Sequence, residues 1–273
     1  MGRSMARRVV EKLWVLLVLL PLIPVILTVL EWKEPSRRHG AGPGPFLAGR
    51  RSLDSLIDSS SYDLLLVNLW ATWCPSCMRE LPEIDDVYRE KSEDLLAVAV
   101  CIDDPSLEEV RSYHSSSGLS MPIVWLSAEE SADLRADWDL PRVLPVTLLF
   151  DPEGSELSRA AGARTGEFFR RMIAGAEVPA DTGTASPSEM HVNVVGSPSD
   201  SAYSALLSTA VELAGRERVS VFDPSDPLQK RRMDSLHLPD TGYPYAQACY
   251  GPACGRPARS PQELRSTMEE LID

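Results

Sequence analysis

Cys74 and Cys77 stand three positions apart in LLLVNLWATWCPSCMRELPEI, residues 64–84, a stretch whose two halves differ in character. Leu64 to Trp70 is almost continuously apolar, the pattern of a buried strand. Pro75, directly after the first cysteine, suits the first turn of a helix, where a missing N–H costs nothing. Cys74 then occupies the helix N-cap, and its sulfur is set to accept from the otherwise unpaired N–H groups of Ser76 and Cys77. Those bonds and the positive end of the helix favour thiolate over thiol. Cys77 lies in the same turn, close enough to close a disulfide. A thiolate with a neighbouring resolver is what thiol–disulfide exchange requires.

Other chemistries for two cysteines fit less well. A structural zinc site needs two further ligands, but Met78 and Arg79 supply none and His39, His114, His191 and His237 are scattered. Haem attachment needs histidine after the second cysteine, where Met78 stands. A peroxidatic cysteine needs Thr or Ser three places earlier, where Cys74 has Ala71. A static structural bridge remains open as the alternative.

The elements that must hold the pair follow from periodicity and capping. The expected strands of the first part are Leu64–Trp70, Leu95–Ile102, Pro122–Leu126, Val146–Phe150 and Ser155–Ser158, the last turning back after Asp151-Pro152-Glu153-Gly154. Helices are expected from Ser52 as a cap to Ile57, Pro75 to Glu90, Ser106 to Tyr113, Glu129 to Trp138 and Thr165 to Ala174. This alternation is an α/β pattern with a central mixed sheet, complete by residue 175. A smaller α/β unit is expected beyond it. Its strands are His191–Val195, Val219–Phe222 and Tyr245–Cys249, and its helices Ser201–Leu213, Pro227–Leu236 and Pro261–Leu271. The two units show no convincing sequence repeat. Cys101, inside LLAVAVCI, reads as a buried core residue.

The chain of 273 residues carries a formal net charge of -13 and has no sustained basic block after its first segment, which argues against nucleic-acid binding. Leu13 to Leu30 holds no charge and is at the short end of the length that crosses a bilayer, which favours an uncleaved anchor with a cleaved signal peptide as the alternative. Arg3, Arg7, Arg8 and Lys12 before it favour a cytoplasmic N-terminus. The expected organisation is a cytoplasmic N-terminus (1–12), a transmembrane anchor (13–30) and a tether (31–49). A first domain (50–174), a linker (175–190) and a small C-terminal domain (191–273) follow. The domains then lie outside the cytoplasm, on the periplasmic or extracytoplasmic side of a bacterial inner or plasma membrane, where disulfides persist.

Residues NLWATWCPSCMRELPEI resemble the active-site segment of the thioredoxin superfamily, and specifically its TlpA-like membrane-anchored thiol-disulfide oxidoreductases. The resemblance covers about residues 45–174 and implies a thioredoxin-like fold. It matches Cys74 to the nucleophile, Cys77 to the resolving cysteine, Trp73 to the preceding aromatic residue and Pro75-Ser76 to the intervening dipeptide. Glu80 matches an acid that tunes the cysteines, and Pro82 a helix-kinking proline. VLPVTLLFDPEG, residues 143–154, resembles the segment carrying the cis-proline, which makes Pro145 that residue and Leu144 the one whose backbone meets substrate. The resemblance implies an enzyme with no bound cofactor, acting on cysteine-containing envelope proteins and recharged by a redox partner protein. The rival expectation is a binding or scaffold protein. A working pair should expose Cys74 and bury Cys77 beside Pro145, whereas a scaffold should bury both sulfurs.

ACYGPACGRPARSPQELRSTMEEL, residues 248–271, carries Cys249 and Cys254 around a Gly-Pro turn. It weakly resembles the terminal segment of YyaL-like thioredoxin-domain proteins. Three readings of this pair stand: a structural disulfide, a second redox centre that relays electrons to Cys74 and Cys77, or a place of substrate or partner recognition.

Overall fold

Strands that are apolar on both faces need cover on both sides, and the chain supplies it with alternating helices. The computed structural model describes residues 44–59, 61–91, 93–102, 106–175, 190–240 and 242–272. These fall within one contact unit, His39–Asp273. The expected anchor, the residues before it and most of the tether and of the 175–190 linker lie outside the described residues. Among the described residues, no helix is long and apolar enough to cross a membrane.

The first sheet is built on β2 (Leu64–Trp70) and β3 (Leu95–Cys101), which pair in parallel. With β1 (Phe46–Ala48), β4 (Ile123–Trp125), β5 (Val146–Phe150) and β6 (Glu156–Ala161) the spatial order is β1-β4-β3-β2-β5-β6. β5 runs antiparallel to both β2 and β6, so the sheet is mixed as expected. Five helices accompany it: α1 (Arg50–Ser59), α2 (Pro75–Lys91), α3 (Leu107–Ser117), α4 (Ala128–Asp137) and α5 (Gly166–Ile173). Local chemistry sets several boundaries. The hydroxyl of Ser106 accepts from the N–H of Glu109, and α3 ends at left-handed Gly118. Ser127 and Glu130 form a reciprocal capping box at α4. Ser52 does not cap α1. The helix begins earlier, at Arg50, because the Glu130 carboxylate accepts the Arg50 N–H at 2.9 Å, while the Ser52 hydroxyl donates to the Ala48 carbonyl.

The second sheet contains β7 (Met190–Val195), β8 (Val219–Phe222), β9 (Tyr245–Tyr250) and β10 (Ala253–Cys254), in the order β10-β9-β7-β8. Its helices are α6 (Ser201–Ala214), α7 (Pro227–Ser235) and α8 (Pro261–Ile272). Here the structure shows a kinship that the sequences conceal. β7 is parallel to β8 and antiparallel to β9, and β9 is antiparallel to β10. β2 stands in the same relation to β3, β5 and β6. In both units an X-Pro cis bond, Leu144–Pro145 or Tyr243–Pro244, immediately precedes the antiparallel strand next to the centre. At the turn between β7 and α6, however, the second unit carries Gly196-Ser197-Pro198-Ser199 and no cysteine.

Candidate active site

The reactive pair sits where the central strand gives way to a helix. The chain leaves β2 at Trp70, crosses Ala71-Thr72-Trp73 and enters α2 at Pro75. Cys74 and Cys77 are joined as a disulfide with their Cα atoms 5.3 Å apart. The Cys77 N–H donates to the Cys74 sulfur at 3.2 Å, so one of the expected N-cap contacts is present. Pro82, inside α2, removes an N–H from the helical ladder one turn beyond the pair.

Behind the disulfide lies a buried polar cluster. Glu80 is 1% exposed; its two carboxylate oxygens accept from the Asn68 side-chain amide at 2.7 Å and from the Arg164 backbone N–H at 2.8 Å. Asn68 also donates to the Thr147 hydroxyl at 2.9 Å, which ties β2 to β5 and α2. Burial pushes the Glu80 carboxyl up to about 8, against the opposing pull of the two hydrogen bonds and the Arg164 charge. Glu80 therefore holds a proton near neutral pH, in the first turns of the helix that carries Cys77 and follows Cys74.

Cys74 is not accessible. Both sulfur-bearing residues are fully buried. The cover comes from the second unit, through a contact that no local pattern in residues 64–84 announces. Leu144 and Cys254 form an isolated antiparallel bridge: the Leu144 N–H donates to the Cys254 carbonyl at 3.1 Å, and the Cys254 N–H donates to the Leu144 carbonyl at 2.9 Å. The Ser76 hydroxyl lies 3.4 Å from the Cys74 sulfur and donates to the Cys254 sulfur at 3.6 Å. Cys254 is itself bonded to Cys249, directly across the β9–β10 hairpin.

Each residue expected at the substrate face has a defined place. Leu144 and Ser76 meet Cys254. The Trp73 carbonyl accepts from the Gln247 side chain at 3.0 Å, and Pro75 is buried in the first turn of α2. Pro145 follows the bridge, with its carbonyl accepting from the Gly162 N–H at 2.8 Å. The sequence reading missed Gln247, a fully buried amide that also donates to the Gly255 carbonyl at 3.2 Å and so pins the hairpin to Trp73. Its signal was there: a lone amide in the otherwise apolar strand YAQACY. It also missed Arg164, whose backbone holds Glu80. Cys101 is buried and takes part in neither disulfide, as expected of a core residue. Among the described residues, no group of His, Cys, Asp and Glu side chains could hold a metal ion.

Residues 58–174 match the family model for Redoxin. They form a redoxin domain of the thioredoxin superfamily. Over 110 residues this chain is 31% identical to Thioredoxin-like protein YneN of Bacillus subtilis (strain 168), covering 40% of this chain and 60% of that protein. It is 30% identical to Thiol-disulfide oxidoreductase ResA of Halalkalibacterium halodurans over 110 residues, with the same two shares. The match thus spans less than two thirds of either relative. The crystal structure of StoA from Bacillus subtilis aligns with 42% of this chain and 86% of its own, at 20% identity and a TM-score of 0.38.

Within the matched segment, one glycine governs how the hairpin seats. Gly162 has φ 80°, and a Cβ there would lie 2.8 Å from the Pro252 ring, while the Ala163 N–H donates to the Pro252 carbonyl at 3.2 Å. Gly162→Ala is expected to lower unfolding stability by about 1–2 kcal/mol from the left-handed backbone alone. A urea midpoint shifted down at unchanged slope would show it, and an unshifted midpoint would contradict it.

Proposed function

We propose that the protein is a thiol–disulfide oxidoreductase of the TlpA-like kind, working through the WCPSC segment on cysteines of exported proteins. The supporting observation is the Cys74–Cys77 disulfide at the start of α2, with the Cys77 N–H directed at the Cys74 sulfur. In one direction a substrate thiolate attacks Cys74, Cys77 leaves as thiolate, and the second substrate thiol displaces Cys74. In the other, the Cys74 thiolate attacks a substrate disulfide and Cys77 resolves the mixed disulfide. Glu80, one helical turn beyond Cys77 and protonated near neutral pH, is the proposed proton donor to the leaving Cys77 sulfur. No bound cofactor enters this chemistry. A redox partner protein restores the starting state.

Burial of both sulfurs is what the scaffold alternative would show. What favours the enzyme is the nature of the cover: the strand lying over Cys74 carries a second disulfide, and two backbone bonds join it to Leu144. Exchange with an exported protein through Cys74 requires that strand to withdraw from Leu144. We place the protein at the bacterial inner or plasma membrane with its redox domain outside the cytoplasm, on the strength of residues 13–30.

The test is equilibration of the folded chain in glutathione buffers of graded potential, followed by acid quench, alkylation and peptide mass spectrometry. Cys74 and Cys77 should convert reversibly between disulfide and dithiol, and the midpoint gives the direction of physiological exchange. A pair that stays oxidised until the chain unfolds would be a static bridge, and the scaffold would stand.

A further inference from the structure

The Cys249–Cys254 disulfide occupies the place at Cys74 that an incoming substrate would need, and one hydroxyl touches a sulfur of each disulfide. We propose that Cys249 and Cys254 form a second redox centre that exchanges electrons with Cys74 and Cys77 inside one chain. The proposal rests on the function proposed above and names the partner that the buried pair meets first.

Three observations carry it. The first is registration: both backbone hydrogen bonds of Leu144 go to Cys254, which fixes that residue opposite the backbone preceding Pro145. The second is sulfur placement. Ser76 lies 3.4 Å from the Cys74 sulfur and 3.6 Å from the Cys254 sulfur, so the two sulfurs are separated by at most the span of one hydroxyl contact on each side. The third is asymmetry of access. Cys74, Cys77 and Cys254 are buried, whereas Cys249 is only half-buried. A purely structural bridge has no need to set one of its cysteines against a redox-active pair while the other stays half-buried.

The chemistry closes without further reagents beyond an external protein dithiol. One external thiolate attacks the Cys249 sulfur; the Cys249–Cys254 bond breaks and Cys254 leaves as a thiolate facing the Ser76 hydroxyl. The Cys254 thiolate attacks the Cys74 sulfur, the Cys74–Cys77 bond breaks, and the Cys77 thiolate takes a proton. The second external thiol, losing its proton, displaces Cys249. The Cys249 thiolate then attacks Cys254, re-forms the hairpin disulfide and releases Cys74. The external dithiol has become a disulfide, and the Cys74–Cys77 pair has gained its two electrons and two protons. Every step is a thiolate displacement, so the sequence also runs in reverse. Ser76 stabilises the Cys254 and the Cys74 thiolates, each in its turn, by donating its single proton.

Two measurements test the relay in the full chain. In Cys77→Ser/Cys249→Ser, only Cys74 and Cys254 of the two pairs remain, and mild oxidation with glutathione disulfide should join them within one chain. Glutathione adducts on both cysteines in place of that bridge would overturn the proposal. In Cys249→Ser/Cys254→Ser, reduction of the Cys74–Cys77 disulfide by a reduced thioredoxin should slow about tenfold or more, since the intramolecular step is gone. An equal or faster rate would make the hairpin a cover and no more, overturning the relay while leaving the proposed function intact. A pair reduced in neither the unaltered chain nor the variant would overturn both.

Discussion

Replacing Cys74 with serine is expected to reduce catalysed exchange between dithiothreitol and insulin disulfides to the uncatalysed background, a loss of about two orders of magnitude or more. An oxygen there cannot form the mixed disulfide on which both directions of the reaction depend. Cys77 is not expected to substitute, because it sits inside the first turn of α2 with its backbone N–H directed at the Cys74 sulfur, the place of the resolving thiol. Cys77→Ser should behave differently: the first attack remains open, but the covalent product is not resolved, so a single turnover leaves the enzyme charged. Insulin precipitation separates the two only as loss of turnover. Mass spectrometry separates them cleanly, because adducts accumulate on Cys74 in Cys77→Ser and are absent in Cys74→Ser. Undiminished exchange in Cys74→Ser would move the chemistry to another cysteine, and Cys249 would be the first to examine.

Stability is expected to fall as pH rises through the neutral range, and Glu80 is the cause. Its carboxyl titrates at about 8 in the folded protein, against an ordinary value of 4.5. Below 4.5 both folded and unfolded chains hold the proton, and burial of the neutral acid carries no charge penalty. Between 4.5 and 8 the unfolded chain ionises while the folded one does not, so the folded state binds the extra proton. The advantage of the neutral form is thus fully present in acid and is lost as pH climbs to about 8. The slope from this one group approaches about 1.4 kcal/mol per pH unit at its steepest. Carboxylates held below their usual range, such as Glu90, Glu130, Asp226 and Asp240, act in the opposite sense but in more acidic solution. Glu80→Gln should flatten the neutral-range slope. Its amide can meet the Asn68 carbonyl oxygen, which is buried without a hydrogen-bond partner, once that side chain turns over. Urea unfolding at a series of pH values reads this directly, and an unchanged slope in the variant would show that Glu80 is ionised in the fold.

Most elements were legible because each is coded locally. Ser106 before an amphipathic run, Pro227 and Pro261 at first helical turns, and the apolar runs of β2 and β3 each state their own structure. Two short strands were not legible. β1 has three residues and β10 two, too few for a period to emerge, and both exist because a neighbouring strand offers its edge. The cysteine pair and Glu80 could be picked out by spacing, but the state of Cys74 could not. Its helix-start position argues for exposure, and that argument fails because Cys254, far along the chain, pairs with Leu144. The shared strand order of the two units was equally hidden. Sheet topology depends on which strands meet, and MHVNVV and LLLVNLW can occupy equivalent central positions with little identity between them.

The burial of Cys74 also bears on chemical damage. A thiolate open to solvent is oxidised by peroxide to sulfenic acid and then to sulfinic and sulfonic acids, and the later steps are irreversible for most proteins. With Cys254 docked, peroxide has no direct approach to Cys74, and a sulfenic acid formed there during an open interval meets Cys77. Condensation with the Cys77 thiol releases water and returns the sulfur to the disulfide state. The docked hairpin thus acts as a shield, keeping the Cys74 sulfur within the recoverable rungs of its oxidation chemistry.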